Sequence, residues 1–478
     1  MVKFPSIIPG RNGEPMSNVD AAWLRMEDRT NLMTITGVMS FPEPLDFDQL
    51  KELVEDRLLY YDRFRQRVIG INSPIGRPRW VEDEHFALRS HLQRVALPHP
   101  GGKAELQEMM SDLMSTPLDY TKPLWQMQYI ENYQGGSAVA MRIHHCIADG
   151  IALIRVLLGM TDDTPSGSPA VRRKRRRRQQ LAEGYWLPEV VNDAVRSVRN
   201  ATAPLIEGGM EALSNPAKAL EYLRDGGQAA AIVGRLTATP PDPDTPYKGQ
   251  LGTTKRCAWS EILPLADVKQ LGKDNNATIN DVLLSGVTGA LRRYLLRRTG
   301  VVEDGLDIRA VIPVNLRPED EFEVLGNKFG LVFLALPVGV PDRWERLRVL
   351  KDRMDGLKDS SEAVVTYAIL NALGMTGPEV ESAAVQFFGS KATAVMTNVP
   401  GPREQIYLAG SPLSGMMFWV PQSARLGLGV SILSYAGEVR VGVASDAGLI
   451  PDPDSIIQAF QDEMRAALAG YGGDDPAD

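Results

Sequence analysis

The segment that constrains the fold most predicts a strand, a tight turn, a second strand and a helix in direct succession. The runs from Leu124 to Tyr133 and from Ser137 to His145 are short and β-prone, and Gln134-Gly135-Gly136 between them is a hairpin signal. The run from Ile151 to Met160 then has the pattern of a helix. We therefore predict that the polar residues between the second strand and the helix gather at a strand end.

Those polar residues are His144-His145 and Asp149-Gly150, a compact set of acid and base groups. Imidazole, with an unperturbed pKa of about 6.5, is well suited to take a proton from an alcohol near neutral pH. Neighbouring strand residues point to opposite faces, so one histidine is expected to act as the base and the other as a support. Asp149 would fix the geometry, and Gly150 would permit a backbone conformation or a close approach that a Cβ blocks. This pattern points to acyl transfer.

The two histidines have two other interpretations. A single histidine is more often a surface residue or a hydrogen-bonded core residue than a catalyst, but two adjacent ones with Asp and Gly at this spacing favour catalysis. A metal site is not expected, since Cys146 has no partner cysteine nearby and this spacing is unusual for zinc ligands.

The spacing of His144, His145, Asp149 and Gly150 resembles the HHxxxDG signature of the bacterial wax ester synthase/acyl-CoA:diacylglycerol acyltransferase family. That family belongs with chloramphenicol acetyltransferase and the peptide synthetase condensation domains. Pro123-Leu124-Trp125 resembles the PLW motif of this branch and Asn280-Asp281 its ND motif. Further matching segments are Ser17-Asn18-Val19-Asp20, Ile312 to Pro318, Gly326-Asn327, Thr397 to Pro402 and Gly427 to Ser431. The resemblance extends from about residue 16 to about residue 470.

The hydrophobic periodicity alone predicts a mixed α/β (α+β) protein. The resemblance implies two halves, each like a chloramphenicol acetyltransferase subunit, with the active site at their interface. We accordingly divide the chain into an N-terminal acyltransferase half over 1–165, a linker with a helical crossover over 166–246, and a C-terminal acyltransferase half over 247–478. The Pro-rich stretch Thr239 to Pro246 stops helix formation and marks the crossing.

The resemblance also implies the reaction. A long-chain acyl group would pass from acyl-CoA, the co-substrate, to the hydroxyl of diacylglycerol or a long-chain fatty alcohol, and no cofactor would be needed. His145 is our candidate general base. Asp149 is expected to pair with Arg317 of the second half and so tie the halves together.

The remaining motif residues are expected to support the site structurally. Asn280 and Asp281 stand near a predicted helix start, so helix capping is a plain alternative for them. Pro123, Leu124 and Trp125 could equally be ordinary strand core.

No apolar run approaches the roughly 18 to 20 residues that cross a bilayer, and the N-terminus lacks an apolar signal core. Two cysteines, Cys146 and Cys257, fit a reducing compartment. We therefore expect a cytoplasmic protein that does not span a membrane.

The run Arg172 to Arg178 consists of seven cations that no catalytic motif requires. The formal net charge of −8 includes them, so the rest of the chain carries −15. One interpretation is a solvated loop, and another is contact with an anionic membrane or lipid-droplet surface. Nucleic-acid binding is not expected, because interleaved aromatics are missing and the surroundings are acidic.

Two rival functions remain. A related acyltransferase would use another hydroxyl, or an acyl donor bound to a carrier protein. A lipid-coat protein without catalysis would use only the basic run and apolar surface.

Overall fold

The fold was analysed in a computed structural model, which describes residues 13–71, 77–167, 227–317, 325–358, 360–422 and 426–469. The basic run and most of the predicted linker lie outside these residues. The mixed α/β class is confirmed. Among the described residues, no helix combines the length and the apolarity needed to cross a bilayer.

The β-strands of the described residues alternate with helices along both halves. They are β1 (Glu14–Pro15), β2 (Thr34–Phe41), β3 (Gln66–Ile69), β4 (Arg79–Glu82), β5 (Leu92–Ala96), β6 (Trp125–Tyr133), β7 (Gly136–His144), β8 (Lys255–Trp259), β9 (Leu263–Pro264), β10 (Ile308–Asn315), β11 (Phe329–Leu336), β12 (Ala394–Pro400), β13 (Tyr407–Leu408), β14 (Ser411–Pro412), β15 (Gly415–Trp419), β16 (Leu428–Tyr435) and β17 (Glu438–Asp446).

The α-helices of these residues pack on the sheets. They are α1 (Asn18–Arg25), α2 (Phe47–Leu53), α3 (Lys103–Ser115), α4 (Gly150–Met160), α5 (Gly227–Ala238), α6 (Leu265–Asp274), α7 (Ile279–Thr299), α8 (Arg343–Lys358), α9 (Glu362–Leu373), α10 (Pro378–Ser390) and α11 (Pro453–Ala469).

The predicted hairpin forms and lies inside a five-stranded sheet with the order β15-β2-β7-β6-β5. Gln134 and Gly135 make the turn with φ of 51° and 84°, and Tyr133 pairs with Gly136 across it. His144, at the opposite end of β7, pairs with Thr34 of β2. The histidines therefore lie at the open end of the hairpin, as predicted for a strand end.

A larger sheet with the order β11-β10-β12-β16-β17-β8 forms the second half, and β9 pairs with β17 outside this path. Strands β10, β12 and β16 run parallel, and the other pairs are antiparallel. The long helix α7 packs between α11 and α8. Its apolar residues join those of the sheet in the largest buried cluster.

One strand from the second half of the chain joins the sheet of the first half. β15, from the second half of the chain, pairs antiparallel with β2 of the first sheet, from Gly415 opposite Ser40 to Trp419 opposite Thr36. A buried cluster containing Val38, Ile130 and Trp419 therefore draws on both halves. The halves consequently form one hydrogen-bonded and apolar unit at this edge.

Most predicted elements agree with the structure, and the differences have physical reasons. The run from Asp46 to Tyr61 has the apolar pattern of a single amphipathic helix, but the structure forms α2 followed by a π-helical turn over Val54–Leu58. The sequence does not predict helix α1, because its eight residues are too few for a periodic pattern to be recognised. The sequence gives little indication of strand β5, because only Leu92 of its five residues is buried.

Candidate active site

His145 lies at the junction of the two halves. Strand β7 ends at His144, and the His145 N–H donates to Met33 O at 2.7 Å. Its ring nitrogen Nδ1 lies 2.8 Å from Oδ1 of Asn327, which belongs to the second half. The imidazole is 7 % exposed. A histidine from one half is thus held by an amide from the other.

Asn327 fixes which imidazole nitrogen carries the proton. Its Nδ2 donates to His145 O and to Asp20 Oδ1, both at 2.7 Å, so its Oδ1 must face the ring. An amide oxygen only accepts hydrogen bonds, so Nδ1 of His145 is the protonated nitrogen and Nε2 holds the lone pair. This is the tautomer that a general base acting through Nε2 needs.

Aromatic side chains hold the plane of the His145 ring. Trp23 of α1 stacks on it with centroids 4.5 Å apart, and Phe329 of β11 lies at 5.6 Å. Burial lowers the pKa of His145 to about 4, although the nearby Asp149 carboxylate acts in the opposite direction. The imidazole is therefore neutral at physiological pH.

Asp20 accepts hydrogen bonds from Asn327 and so fixes the position of its amide. Its Oδ1 accepts the Asn327 backbone N–H at 3.0 Å, and its Oδ2 accepts the Ser17 hydroxyl at 2.6 Å. Burial raises the pKa of Asp20 to about 6, and the hydrogen bonds from Ser17 and Asn327 oppose that rise. Asp20, Asn327 and His145 form a continuous chain of hydrogen bonds.

His144 faces a different set of partners. Its Nδ1 accepts the Cys146 backbone N–H at 3.1 Å, so its Nε2 carries the proton. Nε2 lies 3.1 Å from Glu27 Oε2 and 3.2 Å from the Tyr120 hydroxyl. Both nitrogens of this fully buried ring are thus engaged by protein groups. The two histidines face different surroundings, as their adjacency predicts.

The predicted ion pair between Asp149 and Arg317 is present, with 2.8 Å between Asp149 Oδ2 and Arg317 Nη2. Asp149 is the N-cap of α4, and its Oδ1 accepts the Ala152 N–H at 2.8 Å. Its Oδ2 also accepts the Lys328 N–H at 3.1 Å, and Arg317 donates to Gly326 O at 2.6 Å. The carboxylate therefore joins a helix of the first half to two segments of the second.

The structure gives no steric reason for a glycine at position 150. Its φ lies outside the left-handed region, and an added Cβ would meet Val399 Cγ2 at 3.6 Å, an ordinary contact. The expectation that the protein blocks a side chain here is therefore wrong. Gly150 instead lines an apolar cavity between α4 and the first sheet, and Ile143 lines it too.

Asp281 and Asn280 have different partners. Asp281 forms a capping box at the start of α7, accepting the Thr278 N–H at 2.8 Å while Thr278 Oγ1 accepts the Asp281 N–H. The capping interpretation is confirmed for Asp281. Asn280 Oδ1 accepts the side-chain amide of Asn398 at 3.1 Å, which ties α7 to β12 beside the cavity residue Val399.

Pro123, Leu124 and Trp125 are buried next to the histidines. Leu124 O accepts the His144 N–H at 2.9 Å. Trp125 Nε1 donates to Phe64 O at 2.8 Å, and its ring stacks on His91 at 4.7 Å. The motif thus anchors the strand end that carries the histidines, which agrees with a supporting role.

The sequence does not indicate which partners orient the two imidazoles, although Asp20 and Asn327 lie in segments that resemble the family. Trp23, Glu27 and Tyr120 had no recognisable signal, because no spacing relates them to the histidines. In the part of the chain that the structure describes, no group of His, Cys, Asp and Glu is arranged to hold a metal ion.

Comparison with known proteins agrees with this geometry. A model of the wax ester synthase/diacylglycerol acyltransferase catalytic domain matches residues 16–283, and a model of the WS/DGAT C-terminal domain matches residues 325–467. A putative diacylglycerol O-acyltransferase of Mycobacterium tuberculosis is 28% identical over 95% of this chain and 90% of its own length. The probable diacylglycerol O-acyltransferase tgs1 of that organism is 27% identical, over 95% and 96%.

Solved structures support the same fold. The wax ester synthase/diacylglycerol acyltransferase of Marinobacter aquaeolei is similar with a TM-score of 0.66 at 22% identity, over 96% of this chain and 99% of that one. The condensation domain of the monacolin K polyketide synthase MokA is similar with a TM-score of 0.56 at 14% identity, over 96% and 97%. The predicted architecture of two acetyltransferase-like halves is confirmed.

Proposed function

Because the chain belongs to the wax ester synthase/diacylglycerol acyltransferase family, we propose that it moves a long-chain acyl group from acyl-CoA to the hydroxyl of diacylglycerol or a fatty alcohol. The observation that carries the proposal is the state of His145. Burial keeps the imidazole neutral, and Asn327 places the lone pair on Nε2, at the junction of the halves. Two close sequence neighbours of these residues line an apolar cavity: Ile143, two residues before His145, and Gly150, directly after Asp149.

In the proposed reaction, Nε2 of His145 removes the proton of the bound alcohol. The alcohol oxygen attacks the thioester carbonyl, a carbon–oxygen bond forms, the carbon–sulfur bond breaks, and the CoA thiolate receives the proton from the imidazolium. A general base of this kind contributes roughly 10² to 10⁴ in rate, and holding both substrates in place contributes more. While the ring is charged, Asn327 Oδ1 continues to accept the hydrogen bond from Nδ1–H, and the Asp149 carboxylate stabilises the cation.

A covalent acyl-enzyme on the adjacent thiol would be an alternative route. Cys146 is 1 % exposed, and burial raises its pKa well above the ordinary value. A buried protonated thiol is a poor nucleophile. This supports direct transfer between the two substrates.

We assign supporting roles to the other motif residues. Asp149 and Arg317 would hold the halves in register, and His144 would fix the end of β7 through Glu27 and Tyr120. Asn280 would hold the cavity wall through Asn398. No cofactor takes part in the proposed step.

A direct assay tests the function. Purified protein is incubated with labelled palmitoyl-CoA and either hexadecanol or diolein, and both the ester and free CoA are measured. We expect stoichiometric ester and CoA with at least one acceptor. An acyl-carrier-protein donor that reacts while palmitoyl-CoA is inert would favour the carrier-dependent rival. Lipid binding without any turnover would favour the lipid-coat rival.

The low pKa of His145 predicts an unusual pH profile. Since the base is active when neutral, kcat/KM should stay near its maximum as the pH falls from 8 to about 5, and decline near pH 4. The unfolded chain, with a histidine pKa of about 6.5, binds the proton more readily than the folded chain. The contribution of His145 to stability is therefore complete above about pH 6.5 and falls as the pH drops towards 4.

Steady-state kinetics between pH 3.5 and pH 9 check this profile, with protein that is returned to pH 7.5 as the control for irreversible unfolding. An acid limb centred near pH 6.5 in protein that stays folded would contradict the proposed environment of the imidazole.

We also propose that the cationic run Arg172 to Arg178 brings the enzyme to anionic lipid surfaces, where its water-insoluble substrates lie. Each cation close to such a surface contributes about 1 kcal/mol of attraction. Replacing the seven cations with Gly and Ser should lower binding to phosphatidylserine vesicles at least about tenfold. Vesicle sedimentation measures this, and added salt should weaken binding of the unchanged protein.

Two exposed arginines on helix surfaces, Arg348 and Arg465, supply the control, and their double replacement by Gln should leave vesicle binding nearly unchanged. If the variant without the seven cations sediments with anionic vesicles to the same extent as the unchanged protein, the cationic run does not contribute to lipid binding.

A further inference from the structure

The apolar cavity beside the active site has a definite direction. It lies between α4, which begins at Gly150, and strands β2, β7 and β15, and it encloses about 120 Å³. Every described residue that lines it is apolar or glycine. Its walls follow the strand axis away from the histidine end, where Thr34 pairs with His144. Ile35 lies nearest that end, Gly37 lies further along, and Met39 lies further still.

Gly37 is an unexpected residue for a strand interior, because glycine weakens strands. Its φ is not in the left-handed region, and an added Cβ would meet only Met417 O at 3.5 Å and Phe418 Cβ at 3.7 Å. Gly150 is similar, with its nearest neighbour at 3.6 Å. Neither the backbone nor the surrounding protein excludes a side chain at these positions. What the two glycines share is that they face the cavity.

Methionines form much of the remaining wall. Six of the chain's 18 methionines line this one cavity: Met39, Met127, Met141, Met160, Met416 and Met417. An unbranched thioether has three rotatable bonds and adapts its shape to an apolar neighbour more easily than Leu or Val. A wall of this kind suits a flexible ligand of variable length.

We infer that the cavity binds a segment of the alkyl chain of one substrate and that Gly37 sets how long that chain can be. This rests on the proposed function and specifies its substrate range. A strand rises about 3.4 Å per residue, so Gly37 lies roughly 10 Å along the wall from Thr34. A long chain must pass Gly37, while a short chain ends before it. Larger side chains at this position therefore shorten the accepted chain.

The test is a graded series, Gly37→Ala, Gly37→Val and Gly37→Leu, in the full chain. The kcat/KM is measured with octanoyl-, dodecanoyl- and hexadecanoyl-CoA at fixed hexadecanol, and with octanol, dodecanol and hexadecanol at fixed palmitoyl-CoA. In the series whose chain enters the cavity, Gly37→Leu should lower kcat/KM for the 16-carbon chain at least about tenfold and leave the eight-carbon chain within about twofold. The affected series identifies whether the donor or the acceptor occupies the cavity.

Ser40→Val provides a matched control, because Ser40 lies on the opposite face of the same strand from Gly37, and its hydroxyl bonds only to Gly415 and Ser414 among its described partners. It should leave both chain-length profiles unchanged. Retained activity with eight-carbon substrates shows that a Gly37 variant is folded. Gly37→Ala adds only one methyl group, so this activity can still be measured if the larger variants do not fold. Unchanged profiles in both series for active Gly37→Leu would overturn the inference.

A second readout does not need turnover. Free fatty acids and fatty alcohols of eight to 16 carbons are expected to displace a fluorescent polyene fatty acid from the protein, and Gly37→Leu should weaken the 16-carbon competitors selectively. If the unchanged protein transfers no acyl group, the proposed function fails while this measurement still decides the inference. Equal displacement curves for Gly37→Leu and the unchanged protein would overturn it.

Discussion

Replacing His145 with alanine is expected to lower kcat by roughly 10² to 10⁴, because the variant loses the only group in the proposed reaction that removes the hydroxyl proton. The ring is held for this task by Asn327 on Nδ1 and by Trp23 on its face. Single-turnover experiments with labelled palmitoyl-CoA separate the chemical step from substrate binding. Binding of acyl-CoA should change far less than kcat does.

A loss of activity could also follow from removing any buried ring, so the control is a second histidine in similar surroundings. His91 is 2 % exposed, stacks on Trp125 at 4.7 Å and bonds to Trp125 O through Nδ1. His91→Ala should lower stability without a comparable fall in kcat for the folded fraction. If His145→Ala turned over normally and His144→Ala did not, the assignment of the base would be reversed.

Replacing Asp149 with asparagine is expected to lower the free energy of unfolding by about 3 to 5 kcal/mol, as well as the rate. The side chain of Arg317 is fully buried, and the variant leaves its charge without the carboxylate 2.8 Å away. Asparagine retains one oxygen to cap α4, so the effect reports mainly on the lost charge. Urea unfolding followed by tryptophan fluorescence measures the change.

A solvent-exposed ion pair supplies the matched control. Arg94 and Glu131 lie 2.6 Å apart with side chains 55 % and 33 % exposed. Because water screens such a pair, Glu131→Gln should lower the unfolding midpoint far less than Asp149→Asn does. An Asp149→Asn protein with the unfolding midpoint of the unchanged chain, but without activity, would show that Asp149 acts in the chemistry rather than in holding the halves.

Local sequence was sufficient for the elements that carry the site. The turn at Gln134-Gly135 and the helix after Asp149 follow from residues that are neighbours in the chain, and both formed where predicted. The pair of Asp149 with Arg317 was anticipated only through the family resemblance, because two residues separated by 168 positions share no local signal for it.

Glycine shows the limit of local reasoning. The sequence suggested that Gly150 avoids a clash, yet the structure leaves room for a Cβ and places the residue on a cavity wall. Gly37 attracted no attention in the sequence, since a glycine inside a β-prone run carries no indication of what it faces. A cavity is formed by surfaces from several elements, and its existence is not a property of any one segment.

The sequence by itself determined the hairpin, the helix start at Asp149 and the pair of histidines between them, since turn geometry, capping and strand alternation act over a few residues. Tertiary structure alone decided which histidine meets which partner. His144 is held within the first half by Glu27 and Tyr120, while His145 meets Asn327 of the second half. Packing two halves together sets those distances, and residues far apart in a chain have no spacing from which such a contact can be calculated.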